Sequence, residues 1–471
     1  MNIRVIILCV FVTFLVIYAW KDWFKSLCGL ILLMSVMEHG DMPKSIFGIQ
    51  GFNLWNVLFV GVAIAWFAKR HREGLTWDIP KHVNVLLLMY MGVILVGFLR
   101  AVFDRSYIED YTLKSLISDE LINTIKWVLP GILLFDGCRT RRRVILALTC
   151  ILAMYILIAA QVVRSMPLEA AFTDSGLINR ARIKLDRWVG YNACDMSTFL
   201  AGGSWGILAA LPLFRKKRYW PMVLGAASVV ALGQALTGGR AGYVAWGATG
   251  LTMCLLKWRK YLILAPVVVM LLPIIFPGAA RRMLEGFGVI DVTGQAAIDE
   301  ESLGAGRLQI WPYVVDKIAE SPMIGYGRLA MKRTGLQFHI GQQTGDYAFP
   351  HPHNMYLETL LDNGILGSLP IFVLWAILVT YSGRLFMSNN NLCAAVGGLA
   401  LALMLAQLFG GIGSQHVYPR ESLVGTWAAM FLMLRAYVEQ KKAQRDLIDS
   451  NVSLNRHALM QHQAVIASGY T

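Results

Sequence analysis

Long unbroken apolar runs dominate the hydrophobic pattern of this 471-residue chain. A membrane-crossing helix takes roughly 17–25 mostly apolar residues. Runs of this kind lie near 3–20, 24–38, 47–68, 83–104, 116–137, 143–166, 191–213, 219–237, 240–257, 260–277, 354–381, 391–414 and 419–438. The first two are short enough to form one hairpin, so the pattern predicts 12 or 13 spans. The expected fold is an all-α polytopic integral membrane protein, because helices satisfy their own backbone in lipid. Segment 3–20 has no small-residue cleavage site behind it, and Trp20-Lys21-Asp22-Trp23 reads as an interfacial anchor.

The polar stretches between the runs set the organisation. Residues 1–277 are read as N-terminal transmembrane helices with arginine-bearing outer loops, and 278–352 as one large outer loop of 75 residues. Residues 353–438 follow as C-terminal transmembrane helices, and 439–471 as a polar tail expected to be partly disordered. Within the large loop, "RLQIWPYVVDKIAE" (307–320) has a helical period with Pro312 early, and "ESPMIGYG" (320–327) reads as a turn. The loop is therefore expected to form a cap of helices lying on the membrane.

Composition supports the membrane class. The chain is 56% hydrophobic and 15% charged, against about 25% charged in soluble domains. The seven cysteines lie in or beside apolar runs without CxxC pairs, so they are read as small apolar residues and imply neither a disulfide framework nor a metal site. The net charge of +14 comes in clusters at 69–72, 139–143, 215–218, 257–260 and 441–442. All five fall on one side of the predicted spans, which the positive-inside rule makes cytoplasmic. Basic residues at loop ends do not form a nucleic-acid surface.

The informative cations are those on the other side: Arg164, Arg180, Arg182, Arg187, Arg240, Arg281, Arg282, Arg307, Arg333 and Lys184. Arginine at membrane depth is costly unless paired or facing water, and its fork suits phosphate. An anion-binding outer face results, fitted to a lipid-linked phosphate or diphosphate; ordinary headgroup contact is the plainer reading for any single residue.

Three stretches concentrate the candidate chemistry. In "ALTGGRAGYVAW" (235–246), Arg240 opens a helix behind Gly238 and Gly239, and these glycines with Gly242 would let a ligand approach the backbone. In "GAGRLQIW" (304–311), Arg307 opens the loop helix and Trp311 stands one turn on. In "AFPHPHNMYLETLLDNGILG" (348–367), His353 is expected in the first turn of the helix entering the membrane. A helix N-terminus favours its neutral form, which a general base requires. Asn354 either orients a substrate or caps the turn, and Glu358 is a buried acid that either serves function or pairs with a neighbouring helix. His351 is assigned a supporting role. His351 and His353 could form a metal pair, but the nearest acid is Asp346 and no third ligand stands by, so no metal or other cofactor is expected. Asp299-Glu300-Glu301 reads as a solvated acidic face.

These residues resemble the O-antigen ligase and polymerase superfamily. "HNMYLETLLDNGILG" is similar to its His-Asn/Ser signature, through His353, Asn354, Leu357, Glu358, Gly364 and Gly367. "TGGRAG" (237–242) resembles its Ser-Arg-Gly/Ala turn, with Gly239 where serine is common. Arg307, Trp311, Pro322, Gly325 and Gly327 are similar to its Arg-x-x-x-Trp…Pro-x-x-Gly-x-Gly segment. The resemblance implies a GT-C-like fold and a metal-independent, inverting glycosyltransferase of the bacterial inner membrane, with its active site facing the periplasm. The donor would be a glycan on undecaprenyl diphosphate and the acceptor lipid A-core. His353 would be the base, and Arg240 and Arg307 would bind the diphosphate. Arg187 and Arg180 are the next candidates for substrate phosphate. A polysaccharide polymerase or a protein O-oligosaccharyltransferase with the same donor is the alternative within the class, and the paired short N-terminal segments look like an exosortase-associated branch. A lipid-linked glycan transporter would share the arginines but not need the long loop. A non-catalytic scaffold would leave His353 unexplained.

Overall fold

The computed structural model describes residues 3–468 apart from 47, 50, 170–174, 215, 285–306, 346–348, 415 and 416. Every regular element among them is a helix. The principal ones are α1 Ile3–Ala19, α2 Trp23–Met37, α3 Leu54–Arg70, α4 Lys81–Phe103, α5 Leu129–Gly137, α6 Arg141–Ser165, α7 Ala193–Ala209 and α8 Trp220–Leu236. They continue as α9 Arg240–Leu256, α10 Ala265–Ile275, α11 Pro277–Leu284, α12 Arg307–Glu320, α13 Leu336–Thr344, α14 Met355–Phe386, α15 Asn391–Gly410 and α16 Val424–Ser468. Six helical segments are long and apolar enough to cross a membrane: Lys81–Phe103, Arg141–Ser165, Ala193–Leu213, Lys217–Leu236, Met355–Phe386 and Asn391–Gly413. The protein is a multi-pass membrane protein.

The centre of the bundle is α7 against α15, flanked by α8, α9, α14 and α16. Small residues allow this approach. A Cβ on Gly202 of α7 would fall 2.7 Å from the Leu403 Cα, and one on Gly206 2.5 Å from Leu399. Helices in lipid gain little from burying apolar surface against each other, so close backbone packing of this kind carries their association.

Three of the five basic clusters, 69–72, 139–143 and 441–442, find acids at one face. Asp78 accepts from Arg435 at 2.6 Å and from Lys442 at 2.7 Å, and pairs with Arg139 at 3.0 Å. Asp136 pairs with Arg70 and Arg139, and Glu73 with Arg143. Burial alone would raise the Asp78 pKa, but Arg435 and Lys442 outweigh it and hold the carboxyl well below the usual range. At this face Lys69 donates to the Lys21 carbonyl at 2.8 Å, whereas at the other face Arg4 and Arg164 line one cavity. So α1 runs the full depth of the bundle and α2 returns. At 1.5 Å per residue they are roughly 25 and 22 Å long.

Three expected elements differ. Segment 116–137 is broken by a π turn at Ile117–Ile122 and again before Pro130, which starts α5. Segment 260–277 splits into a 3-10 stretch Arg259–Leu264, then α10 with Pro273 inside it, then α11. The tail continues α16 as helix to Ser468, because residues 439–468 hold good helix formers and no proline. The large loop does contain helices: α12, α13 and the short Ala330–Arg333. Its acidic run 299–301 and Asp346 lie outside the described residues.

The long α14 is interrupted. Gly364 has φ +59, and the backbone there leaves the helical path. The orphaned groups are satisfied by the Pro322–Gly327 turn of the large loop. Ile365 donates to the Pro322 carbonyl at 2.8 Å and Leu366 to that of Met323 at 3.0 Å. In return Tyr326 donates to Leu361 at 2.9 Å and Gly327 to Asp362 at 2.6 Å. Arg100 of α4 clasps the turn through the Ile324 and Gly325 carbonyls, both at 2.8 Å.

Candidate functional site

The face opposite the acid-paired lysines and arginines is built around the Gly238-Gly239 turn between α8 and α9. Gly238 has φ +66 and packs on Ile178. A Cβ on Gly239 would fall 2.5 Å from the Ser197 Cβ, and Gly242 packs on the same serine. Ser197 donates to the Gly239 carbonyl at 2.9 Å. These glycines let α7 approach the turn; ligand approach is not needed to explain them. The carbonyl of Gly238 is the meeting point of two guanidinia. Arg182 donates to it at 3.1 Å and Arg282 at 3.3 Å. Arg182 also reaches Cys194 Sγ at 3.2 Å, so this half-buried thiol has a polar contact that the apolar reading of the cysteines missed.

Arg240 is the first residue of α9 and half-buried, with Gly239 as its N-cap. Arg307 comes to the same place from the large loop. Its Nη1 lies by Gly413: a Cβ there would fall 3.0 Å from this nitrogen and 3.1 Å from the Ala241 Cβ. Burial lowers its pKa, Cys194 opposes that, and the nearby Arg182 cation adds to the lowering. Among the described residues no hydrogen bond or carboxylate reaches this guanidinium. An arginine stays charged, so a largely buried cation stands beside a second one without a described counter-charge.

The histidine segment reaches this group through a tryptophan. Trp311, one turn beyond Arg307, donates its indole N–H to the Pro352 carbonyl at 3.0 Å. His353 follows. It is not in the first turn of α14 but two residues ahead of it, with φ +49. The reason is Asn354, which takes the N-cap and accepts from Tyr356 and Leu357 at 3.0 and 3.2 Å. Asn354 is therefore a buried cap. The His353 ring packs edge-on against Phe349, and against His351 with centroids 4.1 Å apart. Among the described residues no third metal-ligating side chain joins the two histidines.

Other expected members lie elsewhere. Arg187 is exposed, and its carbonyl accepts from Gly40 at 3.1 Å beside the end of α2. Arg180 is exposed on the Ser175–Arg182 helix, whose last residue makes the Gly238 contact. Arg333 is buried and bound to Asp104 at 2.8 Å and to the Tyr326 carbonyl at 2.9 Å, so it fastens the loop. Glu358 faces a separate cavity of about 260 Å³, lined also by Glu120, Arg328, Tyr418, Arg420 and Glu421. There Arg328 pairs with Glu120, stacks 3.5 Å from the Tyr418 ring centroid, and lies 3.7 Å from Asp362. Sequence reading missed Arg328, Arg420 and Glu120. The one available signal was that Arg328 directly follows the Gly-x-Gly turn.

Comparison with known proteins agrees with this layout. Residues 225–372, from α8 through the loop to the broken part of α14, match the family model described as O-Antigen ligase. The chain is thus a polytopic membrane protein with a stretch similar to O-antigen ligases, and the three motifs of the resemblance all fall within that stretch. A Rickettsia conorii protein named "Putative polysaccharide ligase" is 28% identical over 134 residues, covering 27% of this chain. The chain spans 31% of that relative's length.

Proposed function

We propose that this protein is an inverting, metal-independent ligase-type glycosyltransferase that moves a glycan from undecaprenyl diphosphate to lipid A-core. The Gly238 face is the periplasmic face of the bacterial inner membrane, opposite the lysine- and arginine-rich one. The observation that carries the reading is Arg307: a largely buried guanidinium beside Arg182 with no described counter-charge, tied through Trp311 to the backbone next to His353. A diphosphate supplies the missing charge. With Arg240 at the α9 N-terminus and Arg182 and Arg282 at the Gly238 carbonyl, it is held by fixed cations as the glycosidic bond breaks. The acceptor hydroxyl oxygen attacks the anomeric carbon, and the carbon–oxygen bond to the diphosphate breaks. The lipid diphosphate leaves with that electron pair, and the imidazole of His353 takes the hydroxyl proton. One displacement inverts the anomeric centre.

The test is transfer by the purified protein in nanodiscs, with EDTA present throughout. One sample receives lipid-linked glycan and lipid A-core, the other donor alone. A single addition to core is the expected result. Laddering without core makes the protein a polymerase. Turnover that disappears in EDTA overturns the arginine reading.

A further inference from the structure

The cavity beneath Glu358 is not used by the steps above. A second cavity, of about 200 Å³, shares Asn123, Trp127 and Glu421 with it, so the two form one trench of about 260 and 200 Å³. Small-molecule sites run roughly 300–1,000 Å³. The trench has its own chemistry. Its arginines are engaged: Arg328 pairs with Glu120, and Arg420 lies 3.8 Å from Asp195. Glu358 and Glu421 face into it. Among the described residues neither carboxylate receives a hydrogen bond from another side chain or sits within salt-bridge distance of a cation. Asp119 accepts only the Asn123 amide, at 3.1 Å. These half-buried or exposed carboxylates keep hydrogen-bonding capacity that a ligand in the trench can use. No group of three or more metal-ligating side chains forms among the described residues, so a polyhydroxyl ligand fits better than a cation. Carboxylates and the Asn123 amide would bind hydroxyls. Lys44 pairs with Glu38 and Lys126 donates to Asn56, so the five acids of the trench still outnumber its four cations and disfavour phosphate or acidic sugars.

Position gives the ligand its role. Glu358 lies one turn beyond Asn354, so this end of the trench sits one helical turn from the residue that follows His353. Arg420 and Asp195 separate it from the Gly238 arginines, since Asp195 follows Cys194, the partner of Arg182. We propose that this trench binds the acceptor saccharide, through neutral or amino-sugar rings, while the arginines hold the donor diphosphate. The assignment of acceptor rather than donor sugar rests on the glycosyltransferase reading.

The test reads binding without turnover. The probe is a neutral hexosamine trisaccharide bearing a diazirine, with a phosphorylated form as competitor, added to full-length protein in nanodiscs. Crosslinks should map to the stretches 119–127 and 418–421. Glu421→Gln and Asn123→Ala should each weaken labelling roughly tenfold or more, while His353→Ala should leave it unchanged. The phosphorylated trisaccharide should compete poorly. Labelling elsewhere, or labelling indifferent to Glu421→Gln and Asn123→Ala, overturns the site even if transfer occurs. Labelling here without transfer to core leaves a saccharide site and removes the transferase reading. Labelling here by the trisaccharide only when it carries the polyprenyl diphosphate overturns the acceptor assignment.

Discussion

Gly325 and Gly364 sit back to back. A Cβ on Gly325 would fall 2.6 Å from the Gly364 nitrogen, and both residues have positive φ, +57 and +59. Replacing either with alanine should destabilise the protein, by about 1–3 kcal/mol from backbone strain alone and more from the clash. Gly383, in the same helix, has open space where a Cβ would go. Gly383→Ala should be neutral or stabilising by roughly 0.5–1 kcal/mol. Thermal unfolding of the three variants in one detergent decides the matter. Equal melting temperatures would remove the interlock.

His353→Ala should reduce transfer by about 10²–10⁴-fold, the usual contribution of a general base. Its amount in the membrane and its melting temperature should match wild type, since Asn354 rather than His353 caps α14. Initial rates on donor and acceptor, with expression checked by blotting, give the answer.

Arg307 separates function from stability. Without a described partner it contributes cation repulsion to the resting fold. Arg307→Met should therefore keep or raise the melting temperature while losing transfer. Arg307→Lys should also lose most transfer, because a single ammonium cannot make a bidentate phosphate contact. A melting temperature several degrees lower in Arg307→Met would show that the cation is structurally paired.

The lysine- and arginine-rich face should respond to acid. Asp78 has a depressed pKa in the fold, so its stabilisation is complete above its unfolded value and is lost as pH falls through the folded one. Stability should begin to fall below about pH 4. Asp78→Asn should flatten that dependence. Arg435 is fully enclosed, and Arg435→Met, which leaves Asp78 with Lys442 and Arg139 only, should cost about 1–3 kcal/mol at neutral pH. Melting curves across pH for the three proteins test both statements.

Much of this was legible in the chain. Apolar run length located the helices, because lipid leaves the backbone few alternatives. The pairing of arginines with glycine turns located the Gly238 face. What the sequence hid depends on long-range contacts. Nothing near Arg182 announces that it reaches the Gly238 carbonyl. The glycines of "TGGRAG" looked like room for a ligand, but Ser197, some forty positions earlier in the chain, fills that room. Glu358 and His353 share a motif, yet Glu358 lies in α14 and lines the cavity of Glu120 and Arg328, whereas His353 stands ahead of the helix against Phe349 and His351.

The break in α14 also dictates an order of assembly. The turn at 322–327 is synthesised before residues 361–366, yet its backbone amides and carbonyls find their partners only there. During biosynthesis, therefore, the large loop waits outside the membrane until α14 has been inserted and bent. A nascent chain stopped before that helix would carry the arginine of the loop, Arg307, on a turn whose backbone partners are still missing. The turn of the loop is fixed only once the C-terminal helix that carries its partners is in place.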